Sequence, residues 1–122
     1  MNSEQISLER RRQRHRERLA EAVKRIVDIL AELPQVQQII LFGSYSRGQV
    51  DLFTDLDLLV VMDTQEDLLT RTVRLYRLLG GKIGIDLDLL VYTPQELKEA
   101  RSGFLQAILQ EGKVIYARSG DG

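Results

Sequence analysis

One arrangement occurs twice in this chain: Asp55-Leu56-Asp57-Leu58-Leu59-Val60 and Asp86-Leu87-Asp88-Leu89-Leu90-Val91. Each joins an acidic alternation to an apolar run of strand length. Residues two apart share a face of a strand, so Asp55 lies beside Asp57 and Asp86 beside Asp88. If the two strands are neighbours, up to four carboxylates converge at one end of a sheet. An ordinary half-exposed strand scatters Thr, Lys and Gln among its polar positions, and an uncompensated acidic cluster raises pKa values and costs stability.

Composition limits what can compensate it. The chain has no cysteine and a single histidine, His15, which excludes a disulfide framework and a thiolate zinc site and argues against a Ser-His triad. With oxygen ligands only, a hard divalent cation fits best, Mg²⁺ or Mn²⁺, held by carboxylates and completed by water and substrate phosphates. At 122 residues, 43% hydrophobic, the chain suits one domain with one core. Its longest apolar runs fall short of a membrane span and its start lacks a signal-peptide core, so the expected address is the cytoplasm, with no membrane partner.

Strands and helices mix along the chain. Leu19, Ala22, Val23, Ile26, Val27, Leu30 and Leu33 recur at three- and four-residue steps and predict an amphipathic helix over 19–33, ending before Pro34. Residues 37–42 predict a buried strand, 44–48 a turn or one helical turn, and 56–62 a second strand. Thr64 is the predicted cap of a helix running to Gly80, with Glu66 and Asp67 in its first turn and Arg74 and Arg77 toward its end. A third strand follows over 83–92, then a capping box at Thr93-Pro94-Gln95-Glu96. That helix breaks around Ser102-Gly103, and 111–116 give a last strand. The fold class is α+β, a small mixed sheet flanked by helices, with a long N-terminal amphipathic helix. The expected division is a basic helical extension (1–18), the domain proper (19–117) and a flexible tail (118–122).

Charge is unevenly spread. Residues 1–25 carry eight Lys/Arg against four Asp/Glu, and the remainder nine against fourteen. The arginine-rich stretch reads most simply as a solvated helix face; it has no interleaved aromatic and the rest of the chain is acidic, which argues against direct nucleic-acid binding and leaves docking on an acidic partner protein at least as plausible.

The turn after the first strand, Gly43-Ser44-Tyr45-Ser46-Arg47-Gly48, has an ordinary reading as a turn, and it is no Walker A loop, because Gln49-Val50 stand where Lys and Ser/Thr belong. Beside a metal-holding carboxylate pair it gains a role. Backbone N–H groups of Gly43 and Ser44, the Ser44 hydroxyl and the start of a short following helix suit a phosphate chain whose other oxygens bind the metal. Such a site performs phosphoryl or nucleotidyl transfer by positioning and charge neutralisation. Arg47 is a further phosphate candidate, with a solvated loop arginine the competing reading, and Asp51 has a turn role.

Gly43-Ser44, Asp55-x-Asp57 opening an apolar strand, and an Asp within a third strand resemble the nucleotidyltransferase superfamily of the DNA polymerase β type. The Gly-Ser-x-x-Arg-Gly form of the turn, Thr54 to Val60, Asp88 to Leu97 and Glu111 to Tyr116 resemble its minimal members in bacteria and archaea. The resemblance runs from about Ile39 to Tyr116 and implies a nucleotidyltransferase fold. It implies that Asp55 and Asp57 bind two divalent ions, Mg²⁺ or Mn²⁺, and that the third-strand Asp binds one and activates the acceptor hydroxyl. Ser44 would hold the β and γ phosphates. The family spacing counted back from Thr93-Pro94 favours Asp88 as the third carboxylate, with Asp86 in reserve. The implied reaction moves AMP from ATP to a hydroxyl. Minimal members pair with HEPN-class toxins and act as antitoxins by adenylylating them, often on a tyrosine. A chain this short is expected to borrow its acceptor surface from a partner. Two alternatives stand beside this: an antitoxin that neutralises by contact alone, and a free-standing enzyme acting on a small alcohol such as an aminoglycoside.

Overall fold

The structure, a computed structural model, describes residues 2–119. Helix α1 spans Ser3–Leu30, β1 Val36–Phe42, α2 Gly43–Ser46, β2 Leu56–Met62, α3 Leu68–Leu79, β3 Leu87–Tyr92, α4 Pro94–Glu99, α5 Gly103–Glu111 and β4 Lys113–Ala117. The four strands form one mixed sheet in the order β3-β2-β1-β4. Strand β1 is antiparallel to both β2 and β4, while β2 and β3 are parallel and joined through α3. This is the α+β arrangement that the segment pattern predicts.

Both faces of the sheet are covered, which is why β1 and β2 are nearly continuous apolar runs instead of clean alternations. On one face Ile39, Leu41, Leu58, Val60, Leu89 and Val91 pack under α1 and α3, against Leu19, Ile26, Leu30, Leu75 and Leu79. On the other, Ile40 and Leu59 pack with Leu105 and Ile108 of α5, joined by Phe42, Leu90 and Tyr92. Phe104 lies at the edge of that layer, edge-on to Phe42.

Several boundaries differ from expectation. Helix α1 does run through the basic extension as expected, beginning sixteen residues before the apolar stripe, since Asn2 and Gln5 form a capping box and Glu, Gln and Arg are strong helix formers. Its first turns are exposed, and it ends at Leu30. The cap of α3 is Asp67, which accepts from the Thr70 amide at 2.7 Å, not Thr64. The Thr64 hydroxyl is engaged one turn earlier with the Glu66 amide, so Glu66 lies outside the helix and pairs with Arg74 instead. Strand β3 starts at Leu87 rather than residue 83, because Gly84 has φ +72°, off the strand geometry. Asp86 therefore precedes the strand on which it was expected. The capping box of α4 forms as read, through Thr93 and Glu96 with Pro94 at the first turn, and the break before Gly103 is real.

Arg118, expected in the tail, donates to the carbonyls of Val36, Ala31 and Leu33 at 2.9–3.0 Å. Residues 120–122 of the expected tail lie outside the described residues. No helix among the described residues is long and apolar enough to cross a membrane.

Candidate active site

Register places the carboxylates. Parallel pairing sets Asp57 opposite Asp88, and antiparallel pairing sets Phe42 opposite Asp57. Phe42, Asp57 and Asp88 thus form one row across three strands, on the face that Leu59 and Leu90 share with α5. The residue after Phe42 is Gly43, where the chain leaves the sheet with φ +79° and enters the single turn of α2.

Gly43 is required here for two reasons. The positive φ is strained for any L side chain, and a Cβ at this position would overlap the Asp57 carboxylate oxygen Oδ2. The turn is held by its own bonds: Ser46 donates to the Gly43 carbonyl at 2.8 Å, and the Arg47 and Gln49 amides donate to the Ser44 carbonyl. Ser44 is half-buried and Arg47 exposed.

Asp57 is half-buried, and its pKa is raised above the ordinary 3.8. Burial is the largest cause, followed by the charges of Asp88 and Asp55 and a hydrogen bond with Asp88. Arg47 pulls it down but does not offset these, so the cluster is short of positive charge. Asp55 and Asp88 are exposed. No group of three or more His, Asp or Glu among the described residues is arranged to hold a metal as it stands. Asp57 and Asp88 meet, and the charge of Asp55 acts on Asp57.

Asp86 stands apart from that row. Its carbonyl accepts from the Leu56 amide at 3.3 Å, tying the loop before β3 to the start of β2. Asp51 fills the expected turn role, accepting from the Phe53 amide at 2.8 Å and the Thr54 hydroxyl at 3.2 Å.

Three polar side chains with long-range partners, the first two near Asp55 and the third away from the site, escaped the sequence reading. His15 Nε2 lies 2.8 Å from the Thr54 carbonyl, next to Asp55. A carbonyl only accepts, so this ring nitrogen carries the proton. Arg18 donates to the Gly84 carbonyl at 3.1 Å. Neither contact has a local signal, because the partners are backbone atoms far along the chain. Arg71 is buried, donating to the Val91 and Glu66 carbonyls and pairing with Glu96. It did leave a signal, as the polar member of the stripe Arg71, Leu75, Leu79.

The family described as Polymerase beta, Nucleotidyltransferase matches residues 24–121. A relative in Methanocaldococcus jannaschii, named "Putative protein adenylyltransferase MJ0604", is 32% identical over 98 residues, spanning 78% of this chain and 95% of its own. Among solved structures, a toxin–antitoxin with AMP-PNP aligns at TM-score 0.61 and 28% identity, covering 80% of this chain and 74% of that one. A tri-AMPylated Shewanella oneidensis HEPN toxin in complex with MNT antitoxin aligns at TM-score 0.56 and 26% identity, over 82% and 73%. Sequence family and architecture agree over most of the chain's length: this chain belongs to the polymerase beta nucleotidyltransferase family and is a nucleotidyltransferase.

Proposed function

We propose that this nucleotidyltransferase moves AMP from ATP to a hydroxyl of a partner protein, a tyrosine of a HEPN-type toxin, and so acts as that toxin's antitoxin. The observation that carries the reading is the row formed by the phosphate turn, Asp57 and Asp88, with Asp57 seated in the space that Gly43 leaves open. ATP and a protein acceptor are supported by the similarity to a chain named a protein adenylyltransferase and to a complex with AMP-PNP. The HEPN partner is supported by the similarity to an MNT antitoxin complex.

In this reading Gly43, Ser44 and Arg47 bind the triphosphate. Asp55, Asp57 and Asp88 would hold Mg²⁺, and the oxygen-only donor set and its uncompensated charge fit a hard cation that keeps water and substrate oxygens as its other ligands. When bound, the metal supplies charge neutralisation at the phosphates. The acceptor oxygen attacks the α-phosphorus and forms the new P–O bond. The bond from that phosphorus to pyrophosphate breaks, and pyrophosphate leaves with the electron pair. Asp88 takes the hydroxyl proton.

The test is α-phosphate-labelled ATP with Mg²⁺, this protein and a lysate of its host, with the Asp55→Asn/Asp57→Asn protein as control. Label on a protein band that vanishes in the control is the expected result, and mass analysis of the band identifies the acceptor. Equal label in both samples, or none in either, overturns the reading.

A further inference from the structure

Phe104 is 61% exposed, yet its ring has a fixed neighbour: it stands 6.1 Å from the Phe42 ring, centroid to centroid, with the two planes at 83°. Isolated exposed apolar side chains are ordinary, and Leu109 and Val114 are two others. The contact is what separates Phe104 from them. Phe42 is the β1 member of the row that holds Asp57 and Asp88, and the residue after it is Gly43 of the phosphate turn.

The placement follows from how α5 packs. Leu105 and Ile108 sit on Ile40 and Leu59, which lie two residues along their strands from Phe42 and Asp57. Helix α5 therefore covers the face of the sheet that carries the row, just beside the row itself. Phe104, at the start of the helix, is turned out of that packing and meets Phe42. Its neighbours Gly103, Gln106 and Ala107 are exposed and small or polar. No broad apolar patch surrounds the ring, so it suits one flat group better than a protein interface.

The reaction axis says which flat group comes there. The phosphate turn begins where β1 ends, Asp57 is one strand over and Asp88 one strand further, at about 4.8 Å per step. In phosphoryl transfer the attacking and leaving oxygens stand roughly in line on opposite sides of phosphorus. With pyrophosphate leaving over the turn and the hydroxyl arriving at Asp88, that line runs along the row. The ribose oxygen lies across it, so the nucleoside leaves the row at a right angle. It then extends into solvent or over the sheet face toward α5, and only the second course meets protein, at Phe104.

We propose that Phe104 is the base platform of the nucleotide site: the purine of the bound triphosphate stacks on its exposed ring, and Phe42 holds that ring in place. The inference rests on the placement of the triphosphate at the Gly43 turn in the reading above, and adds which part of this chain receives the base. A phenyl ring offers a face to any base and no hydrogen bond to choose among them, so it does not separate adenine from guanine.

The chain has no tryptophan, so Phe104→Trp introduces a single reporter whose fluorescence a stacked purine quenches. Leu109→Trp, 42% exposed on the same helix, is the control. The ligands are ATP and inorganic tripolyphosphate, each with Mg²⁺, and calorimetry compares their binding to the parent and to Phe104→Ala. Phe104→Ala should bind ATP about 5- to 150-fold more weakly, the loss of one base stack, and tripolyphosphate as tightly as the parent does. ATP should quench Phe104→Trp and tripolyphosphate should not, while Leu109→Trp responds to neither. Unchanged ATP affinity in Phe104→Ala overturns the inference, as does an equal loss of both ligands, which would make the ring a support of the turn. Transfer to protein that falls in Phe104→Ala while ATP binds as in the parent also overturns it, and gives the ring to the acceptor. Quenching of Phe104→Trp by ATP, with no protein labelled by the parent in host lysate, upholds the platform and overturns the transfer reading.

Discussion

Asp57 and Asp88 stand opposite each other across two parallel strands, and the half-burial of Asp57 beside that second carboxylate holds its pKa above the ordinary value. The fold therefore carries a charge conflict at the place where the transfer proposed above would be performed. Such conflicts mark functional sites more often than structural ones.

Replacing the conflicted group should stabilise the metal-free protein. Asp57→Asn keeps the shape and removes the charge, so in EDTA its Tm should rise by about 1–3 °C, solvent screening holding the gain well under 1 kcal/mol. Asp55→Asn should move the same way by less, since Asp55 acts on Asp57 more weakly than Asp88 does. Thermal unfolding in EDTA checks this. A lower Tm for Asp57→Asn would mean that the carboxylate stabilises the fold and that the cluster needs no cation.

Gly43→Ala should be damaging out of proportion to one methyl group. The left-handed backbone alone costs about 1–2 kcal/mol, or roughly 5–10 °C in Tm. The new Cβ must also push Asp57 aside, so adenylyl transfer should fall by about 100-fold. Parent-like stability and rate together would show that the turn tolerates a side chain and that Asp57 is not held against it.

Asp88 and Asp86 should separate by kinetics. Loss of a proton acceptor at the reacting oxygen lowers Asp88→Asn transfer by about 10²–10⁴-fold with ATP binding retained. Asp86→Asn, outside the row, should lose much less. The reverse order would make Asp86 the third carboxylate.

Arg71 and Glu96 supply a pH dependence of stability. Burial would raise the Glu96 pKa, but the hydrogen bonds from Arg71 and Thr93 and the Arg71 charge outweigh it, and the net shift is downward from 4.5. A lowered folded pKa contributes stability that is present above the ordinary value and lost as pH falls through the lowered one. Arg71→Met strands two carbonyls and should cost about 2–4 kcal/mol at pH 7. The gap to the parent should narrow as the solution is acidified below pH 4.5, because the parent loses the same ion pair. Melting curves across that range decide, and a gap independent of pH would leave Arg71 with its carbonyl bonds alone.

The basic extension is separable only in part. Removing residues 2–14 should leave Tm nearly unchanged, since that stretch is largely exposed. Removing 2–18 also takes the bonds of His15 and Arg18 to the two loops, at about 0.5–1.5 kcal/mol each. Pull-down of the proposed HEPN-type partner then tests the docking role of the arginines. Equal capture by the parent and the 2–14 deletion would remove that role, and equal Tm for both deletions would support a boundary at residue 18.

Features that depend on near neighbours in the chain were legible without a structure. The β2 boundaries, the cap at Thr93 and Glu96, the break before Gly103 and the acidic start of β2 are all set within a few residues, because periodicity and capping are local physics. Family membership was legible for the same reason, being carried by short motifs in a fixed order. Local rules also misled where two of them competed. Thr64 and Asp67 both suit a helix start, and only the packing of Arg71, Leu75 and Leu79 selects Asp67. A period-two pattern through residues 83–86 reads as strand, yet Gly84 turns the chain away and leaves Asp86 outside. The tertiary structure alone decided which carboxylates meet and what surrounds them. Asp57 faces Asp88 because β2 and β3 run parallel in that one register, and His15 reaches Thr54 because α1 crosses that loop. Contacts between distant segments depend on how whole elements pair, and backbone carbonyls, present at every residue, leave no mark in a sequence to say which one a side chain will find.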